Sequence, residues 1–498
     1  MAMNVGESPF DTTVDELVAK AMSELHVPGL ALAVFDRDKI WSKGYGVTNV
    51  DSGSRVTPDT MFSVGSTTKT FTAAAASLLV DDNEEHSDVT WETPMSKLIP
   101  DDFVLQDAYA TAHVTLEDCL CHRTGLATHR ADLGGHSVKE NVRNLRHLEL
   151  TKELRTKWQY SNHMYWAVSH AIEEKSGQDL GTFMSNRLWR PLGMDATFLS
   201  IADALDYEKA HPETKLAAPH KWHEESKSFK VMPFWDDVGI SGAGGMVSSV
   251  SDCAKWIRAF IDKAAPISPD GYSALTSAHM IQKASHSRFT GPVCYGLGWF
   301  MSVYHGERVL WHPGGLVGSV SSFIYLPERK WGIVGMCNVT SEQAIEAPMW
   351  HLIDELLSVP REKRTDVVAK AVAELQDMKA FSKGAKGIMF PGRPETPKPS
   401  SAPISTYCAT YSHPSYGSII VDNTEDKAVL KGAFPGRLPL DPLFLEHIDG
   451  DNFLLKADII ELIPVRAKAK LEIDETGVPD KLGVEFGDSI TTWFCRMK

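Results

Sequence analysis

The sequence predicts an α/β fold: an antiparallel sheet flanked by helices and carrying a helical insertion, followed by a small C-terminal antiparallel β-barrel. Three observations predict it. Strand-like apolar runs stand near the start of a first module, at 30–35 and 40–47, and again near its end, at 319–325 and 331–337. Between them, from about 90 to 260, the hydrophobic spacing is mainly helical. After about 405, short β-prone runs alternate with Gly, Asp and Pro turns. Sheet elements on both sides of a helical middle imply one layered module whose strands come from both of its ends.

Each element has its own signal. The run Leu30 to Phe35 and the one resuming at Ile40 are separated by Asp36-Arg37-Asp38-Lys39, a hairpin pattern. A helix is expected over 66–80, where Phe71, Ala74, Ala75, Leu78 and Leu79 recur at helical spacing and the alanines suit close packing on all sides. The clearest helices of the middle are 164–175 and 252–263. Residues 326–330, Leu-Pro-Glu-Arg-Lys, join the two late strands as a second hairpin, and helices follow at 342–357 and 365–378. Pro391, Pro394, Pro397, Pro399 and Pro403 then fall within thirteen residues, a linker pattern. The expected division is a catalytic module over 1–378, a linker over 379–404 and a barrel over 405–498. The barrel's strands are expected at 418–421, 453–455, 470–473, 482–486 and 490–494.

Composition narrows the function classes. The 498 residues exceed one ordinary domain and suit two or three. With 43% hydrophobic and 23% charged residues, the chain is of globular composition. Fifty Lys and Arg against 65 Asp and Glu leave a net charge of −15, which argues against a nucleic-acid partner. No run of eighteen apolar residues argues for a membrane span, and residues 1–7 lack the basic and apolar regions of a secretory signal. Seven scattered cysteines are no disulfide framework, so a reducing cytosol is the expected compartment. Cys119, Cys121, His122 and His129 lack a paired C-x-x-C and read as a buried helix end rather than a zinc site. The pattern asks for no metal or cofactor, and an oligomer is left open.

Three short motifs carry chemistry. Ser66-Thr67-Thr68-Lys69 is the chain's one S-x-x-K, set at a strand-to-helix junction. A serine hydroxyl needs a base, and on a helix the i, i+3 spacing brings the Lys69 amine to the Ser66 oxygen. Tyr160-Ser161-Asn162 offers a phenol that, beside a cation, can lose its proton and act as general base, with an amide to hold the lysine and a substrate carbonyl. Trp311-His312-Pro313-Gly314-Gly315, read as a turn entering the strand at 319, supplies glycines that let backbone approach a ligand and an N–H for an oxyanion hole.

The three motifs occur in the order S-x-x-K, Y-x-N, H-x-G, at 66, 160 and 312. This order resembles the serine β-lactamase and penicillin-binding-protein superfamily, closest to its class C-like branch of esterases, D-aminopeptidases and acyltransferases. The stretches 120–126, 191–194, 244–246 and 295–299 also look familial, and the resemblance covers about 12–358. It implies a β-lactamase/transpeptidase-like fold, with a lipocalin-like barrel opening over 407–421. It further implies that Ser66 is the acylated nucleophile, Lys69 its base and Tyr160 the proton shuttle that also activates the deacylating water. The N–H groups of Ser66 and Gly315 would form the oxyanion hole. Asn162, His312 and Gly314 would contact substrate, and Trp235 is a further substrate-binding candidate from the segment 210–237. His312 and Pro313 replace the lysine and hydroxyl residue usual in lactamases.

The expected activity is therefore metal-free serine hydrolysis of a small-molecule ester, thioester or amide. No G-x-S-x-G or H-E-x-x-H motif offers another machinery. Two alternatives remain open at this point: an acyltransferase that passes the acyl group to an alcohol or amine, and a non-catalytic scaffold with the same fold. The segment 210–237, rich in His and Trp, either borders the cleft or packs locally.

Overall fold

The structure is a computed structural model that describes residues 8–129, 136–235, 238–426, 428–434, 442–459, 463–487 and 490–497. The chain forms two compact units, Met1–Leu126 with Leu150–Val372, and Ala127–Glu149 with Ala373–Lys498.

The first unit is built on an eight-stranded antiparallel sheet. In chain order its strands are β1 (Gly29–Asp36), β2 (Lys39–Gly46), β3 (Met280–Lys283), β4 (Val293–Tyr295), β5 (Phe300–Tyr304), β6 (Glu307–Leu316), β7 (Ser319–Leu326) and β8 (Trp331–Cys337). Their spatial order is β2-β1-β8-β7-β6-β5-β4-β3, so the first hairpin docks on the last strand, with Leu32 opposite Gly335. The strands do come from both ends of the module. β1 is apolar and buried from Gly29 to Phe35 because both its faces are covered. Leu30, Leu32 and Val34 join Val14 and Val18 of α1 (Thr12–Glu24) and Ile345 and Met349 of the late helix Glu342–Leu356 in one core. Phe35 turns the other way, under Arg258 of the helix Val250–Asp262.

The middle of the unit holds two site-bearing helices, α2 (Thr68–Asp81) and α3 (Asn162–Ser176). Every residue of α2 from Thr68 to Leu79 is buried, and the run Ala73 to Ala76 lets neighbours approach from all sides. Three local expectations shift. Ser66 lies in a 3₁₀ turn, Gly65–Thr67, ahead of α2 rather than in its first turn. Helix α3 starts at Asn162, two residues before the expected start, so Asn162 heads a helix. Residues 311–315 are not a turn but the end of β6, paired with β7 through Pro313 opposite Ser322. Proline is tolerated there because β5 pairs only as far as Trp311, which leaves that edge of β6 without a ladder partner.

The second unit contains a closed eight-stranded barrel of sequential strands, Ala409–His413, Gly417–Asn423, Val429–Ala433, Leu443–Asp449, Asn452–Ile459, Ile463–Ile473, Pro479–Val484 and Thr492–Arg496. The last strand returns to the first, with Tyr411 opposite Arg496. Tyr411, Ile419, Leu430, Leu455, Leu471 and Phe494 are wholly buried. The segment expected as linker from 379 begins as helix instead, since Val367–Met389 is continuous. No proline interrupts it before Pro391. Gly384 and Gly387 cost about 1 kcal/mol each, and Ala385 offsets part of this by packing on Ile448 and Leu454. His129 belongs to this unit, its Nδ1 2.8 Å from the Tyr416 hydroxyl and its Nε2 3.0 Å from the Glu149 carbonyl. Among the described residues, no helix is long and apolar enough to cross a membrane.

Candidate active site

The turn that carries Ser66 is clamped from two sides. Val64 O accepts from Ser321 Oγ of β7 at 2.6 Å and from Thr67 Oγ1 at 2.9 Å. The Val64 N–H donates to Met246 O at 2.9 Å, while Thr68 Oγ1 accepts from Met246 N–H. The backbones of this turn and β6 nearly touch. A Cβ on Gly314 would lie 2.0 Å from Val64 O, and one on Gly65 would lie 2.6 Å from Gly315 N. Gly65 also has φ +56°, a left-handed conformation that favours glycine. The H-x-G glycines thus have a packing reason: they bring the Gly315 backbone beside the serine turn.

Lys69 follows Ser66 by three residues, and its amine is wholly buried. Nζ lies 3.2 Å from Ser66 Oγ, 2.7 Å from Asn162 Oδ1 and 2.6 Å from Ala243 O. Among the described residues no carboxylate pairs with it. Burial alone therefore holds its pKa well below the usual lysine value. A neutral amine fits these partners: two N–H bonds go to the two carbonyl oxygens, and the lone pair faces the serine hydroxyl. Ala243 comes from the turn Ser241–Gly244, which explains why the Gly244-Gly245-Met246 stretch belongs to the site.

Tyr160 packs over this amine, with Nζ 4.8 Å from the ring centroid. Burial raises its pKa above the ordinary phenol value, and a hydrogen bond with Ser66 only partly opposes the shift. Burial thus favours the uncharged form of both the phenol and the amine beside it.

His312 is 1% exposed, and both its ring nitrogens are engaged. Nδ1 lies 2.6 Å from Pro313 O and must donate to it, so Nε2 accepts from the Tyr295 hydroxyl at 3.0 Å. Burial, then the nearby Lys69, push its pKa down to about 3. Trp235 is partly exposed, and among the described residues no hydrogen bond or ring contact joins it to Ser66, Lys69 or Tyr160. The 210–237 aromatics pack locally where described: Trp222 stacks on His26 at 4.0 Å and meets Phe229 edge-on at 5.0 Å. Residues 236 and 237 lie outside the described residues.

Sequence reasoning named His122 only within a buried helix end and the familial stretch 120–126, without a role at the site. The residue sits buried against Tyr160, Tyr165 and Tyr295, with ring centroids 4.5, 5.3 and 4.9 Å away. A hydrogen bond across 39 residues ties it to the Tyr160 segment, and no local spacing signals such a pairing.

An S-x-x-K pair whose lysine is buried, beside a tyrosine and a glycine-bearing sheet edge, points to a class of protein, and the comparisons agree on which. Residues 14–358 match the Beta-lactamase family. The chain is 34% identical over 495 residues to the unguisins hydrolase ungD' of Aspergillus campestris (strain IBT 28561), covering 97% of this chain and 90% of that one. In fold it is similar to the octameric penicillin-binding protein homologue from Pyrococcus abyssi, at TM-score 0.62 and 20% identity over 97% of this chain and 99% of that one. It is likewise similar to the D-amino acid amidase from Ochrobactrum anthropi SV3, at TM-score 0.55 and 19% identity over 73% and 100% of the two chains. The chain belongs to the Beta-lactamase family, and the family match with the hydrolase-named relative supports a hydrolase.

Proposed function

We propose that the protein is a serine hydrolase that works through an acyl-enzyme at Ser66 on an uncharged ester, thioester or amide. The observation that carries this reading is the buried Lys69 amine, 3.2 Å from Ser66 Oγ and without a carboxylate partner among the described residues. Lys69 takes the hydroxyl proton as Oγ attacks the carbonyl carbon. The N–H groups of Ser66 and Gly315 stabilise the oxyanion. Protonated Tyr160 passes a proton towards the leaving group, then relays one from the water that releases the acyl group. Intact-mass analysis with a fluorophosphonate tests the reading. One adduct on the Ser66 peptide is expected; no adduct and no ester turnover would favour a non-catalytic scaffold. Adding an alcohol acceptor to the same reaction separates transfer from hydrolysis.

The third motif sets the substrate preference in this reading. A carboxylate beside the acyl group needs a cation or a free donor. His312 is neutral with both nitrogens occupied, and Pro313 has no N–H to give. A missing charged hydrogen bond costs about 1.5–3 kcal/mol, so kcat/KM for a penicillin is expected to be about 10- to 100-fold below that for a matched uncharged ester. Steady-state kinetics on the pair check this, and a faster penicillin would reverse the assignment.

A further inference from the structure

One residue outside the three motifs grips the catalytic tyrosine from three directions. The Gln159 N–H, one residue before Tyr160, donates to the His122 carbonyl at 2.8 Å. The Ser161 N–H, one residue after it, donates to His122 Nδ1 at 3.1 Å. Between these two bonds the Tyr160 ring rests on the imidazole, centroids 4.5 Å apart. His122 holds a left-handed backbone, φ 61°, to make these contacts. Such a conformation is strained for a residue with a Cβ and persists where surrounding contacts demand it. The Ser161 bond also settles the tautomer, since an Nδ1 that accepts leaves the proton of the neutral ring on Nε2.

Resting on the serine-hydrolase reading above, we propose that His122 is the positioning residue for Tyr160 and Asn162: its Nδ1 fixes the Ser161 N–H, and so sets both flanking side chains over Lys69 and Ser66. The geometry leaves little slack. Asn162 heads α3 and accepts from Lys69 at 2.7 Å, while Tyr160 hydrogen-bonds the Ser66 hydroxyl. A shift of the 159–162 backbone moves both contacts at once. Misplacement of a catalytic group by about 1 Å costs roughly a hundredfold in rate.

Two substitutions separate the hydrogen bond from the ring packing. His122→Phe keeps an aromatic ring against Tyr160 and removes the acceptor. His122→Asn gives up the ring but keeps an acceptor on the same carbon branch, and asparagine tolerates the left-handed backbone. On p-nitrophenyl butyrate, His122→Phe is expected to lose about 10- to 100-fold in kcat with KM within about threefold. His122→Asn is expected to stay within about fivefold of the parent. Circular dichroism and thermal melting report folding of both. A folded His122→Phe with parental kcat, or a folded His122→Asn as slow as the phenylalanine variant, would overturn the proposal. If either variant fails to fold, the other decides by the same criterion. Fluorophosphonate labelling of the parent distinguishes the levels. An unlabelled, inactive parent overturns the hydrolase reading and this inference with it, whereas a labelled parent with an unaffected His122→Phe overturns this inference alone.

Discussion

Replacing Lys69 with alanine is expected to slow acylation of Ser66 about a thousandfold while the chain still folds. The amine lies 3.2 Å from Ser66 Oγ, and the other group hydrogen-bonded to that hydroxyl, Tyr160, is a phenol whose pKa burial raises. Its pH dependence gives a second signature. Burial places the lysine pKa below its usual value, so the neutral form needed as base is present above that depressed pKa and lost as pH falls through it. In the parent enzyme kcat/KM therefore rises with pH through a single ionisation. In Lys69→Ala that limb disappears, and the residual rate no longer follows it. Neighbouring His312 is already neutral down to about pH 3 and contributes no limb near neutrality. A Lys69→Ala enzyme with near-parental acylation would remove lysine from the mechanism.

Gly314→Ala is expected to damage both stability and activity, because the new Cβ would meet Val64 O at 2.0 Å, Ser321 Oγ at 2.6 Å and Thr67 N at 2.9 Å. Two of those three atoms are backbone of the serine turn and cannot rotate away. Strand β6 and the turn must separate instead, at a cost of about 1–3 kcal/mol for overpacking. The accompanying shift of about 1 Å is worth roughly a hundredfold in kcat/KM. The neighbouring position supplies the contrast. A Cβ on Gly315 finds nothing nearer than Val320 Cγ1 at 3.9 Å, so Gly315→Ala should melt at the parental temperature. Thermal unfolding of the two variants side by side checks the geometry. Equal melting temperatures would mean that the turn and the strand are looser than described.

What the sequence made legible follows from the range of the interactions. Ser66 and Lys69 are three residues apart, and local spacing sufficed to pair them. The early and late strands were readable as apolar runs, and their meeting in one sheet followed from layer logic. The barrel's strands were readable only where the runs were strongly β-prone. Val429–Ala433 and Leu443–Asp449 went unread. The motif at 311–315 looked like a turn because Pro-Gly-Gly is turn chemistry, yet an edge without a ladder partner lets the same residues finish a strand. The role of His122 stayed hidden for a different reason. Its value lies in one long-range bond and one left-handed backbone, neither of which has a local pattern. The phenol of Tyr160 was read as a proton acceptor beside a cation. Burial, which no local pattern reveals, lowers the lysine pKa and raises that of the phenol, so each is pushed towards its uncharged form.

The second unit is discontinuous in sequence, and this bears on how the gene could be cut. Ala127–Glu149 belongs with the barrel although it is encoded between His122 and Tyr160. A stop codon after Val372 would thus not release a tidy first unit. It would strip Tyr416 from His129 and leave a 23-residue passenger without the strands it packs among. The clean excision removes two stretches of coding sequence. The ends left by the inner cut already lie side by side, since Leu126 and Leu150 form an antiparallel bridge that a short turn could close.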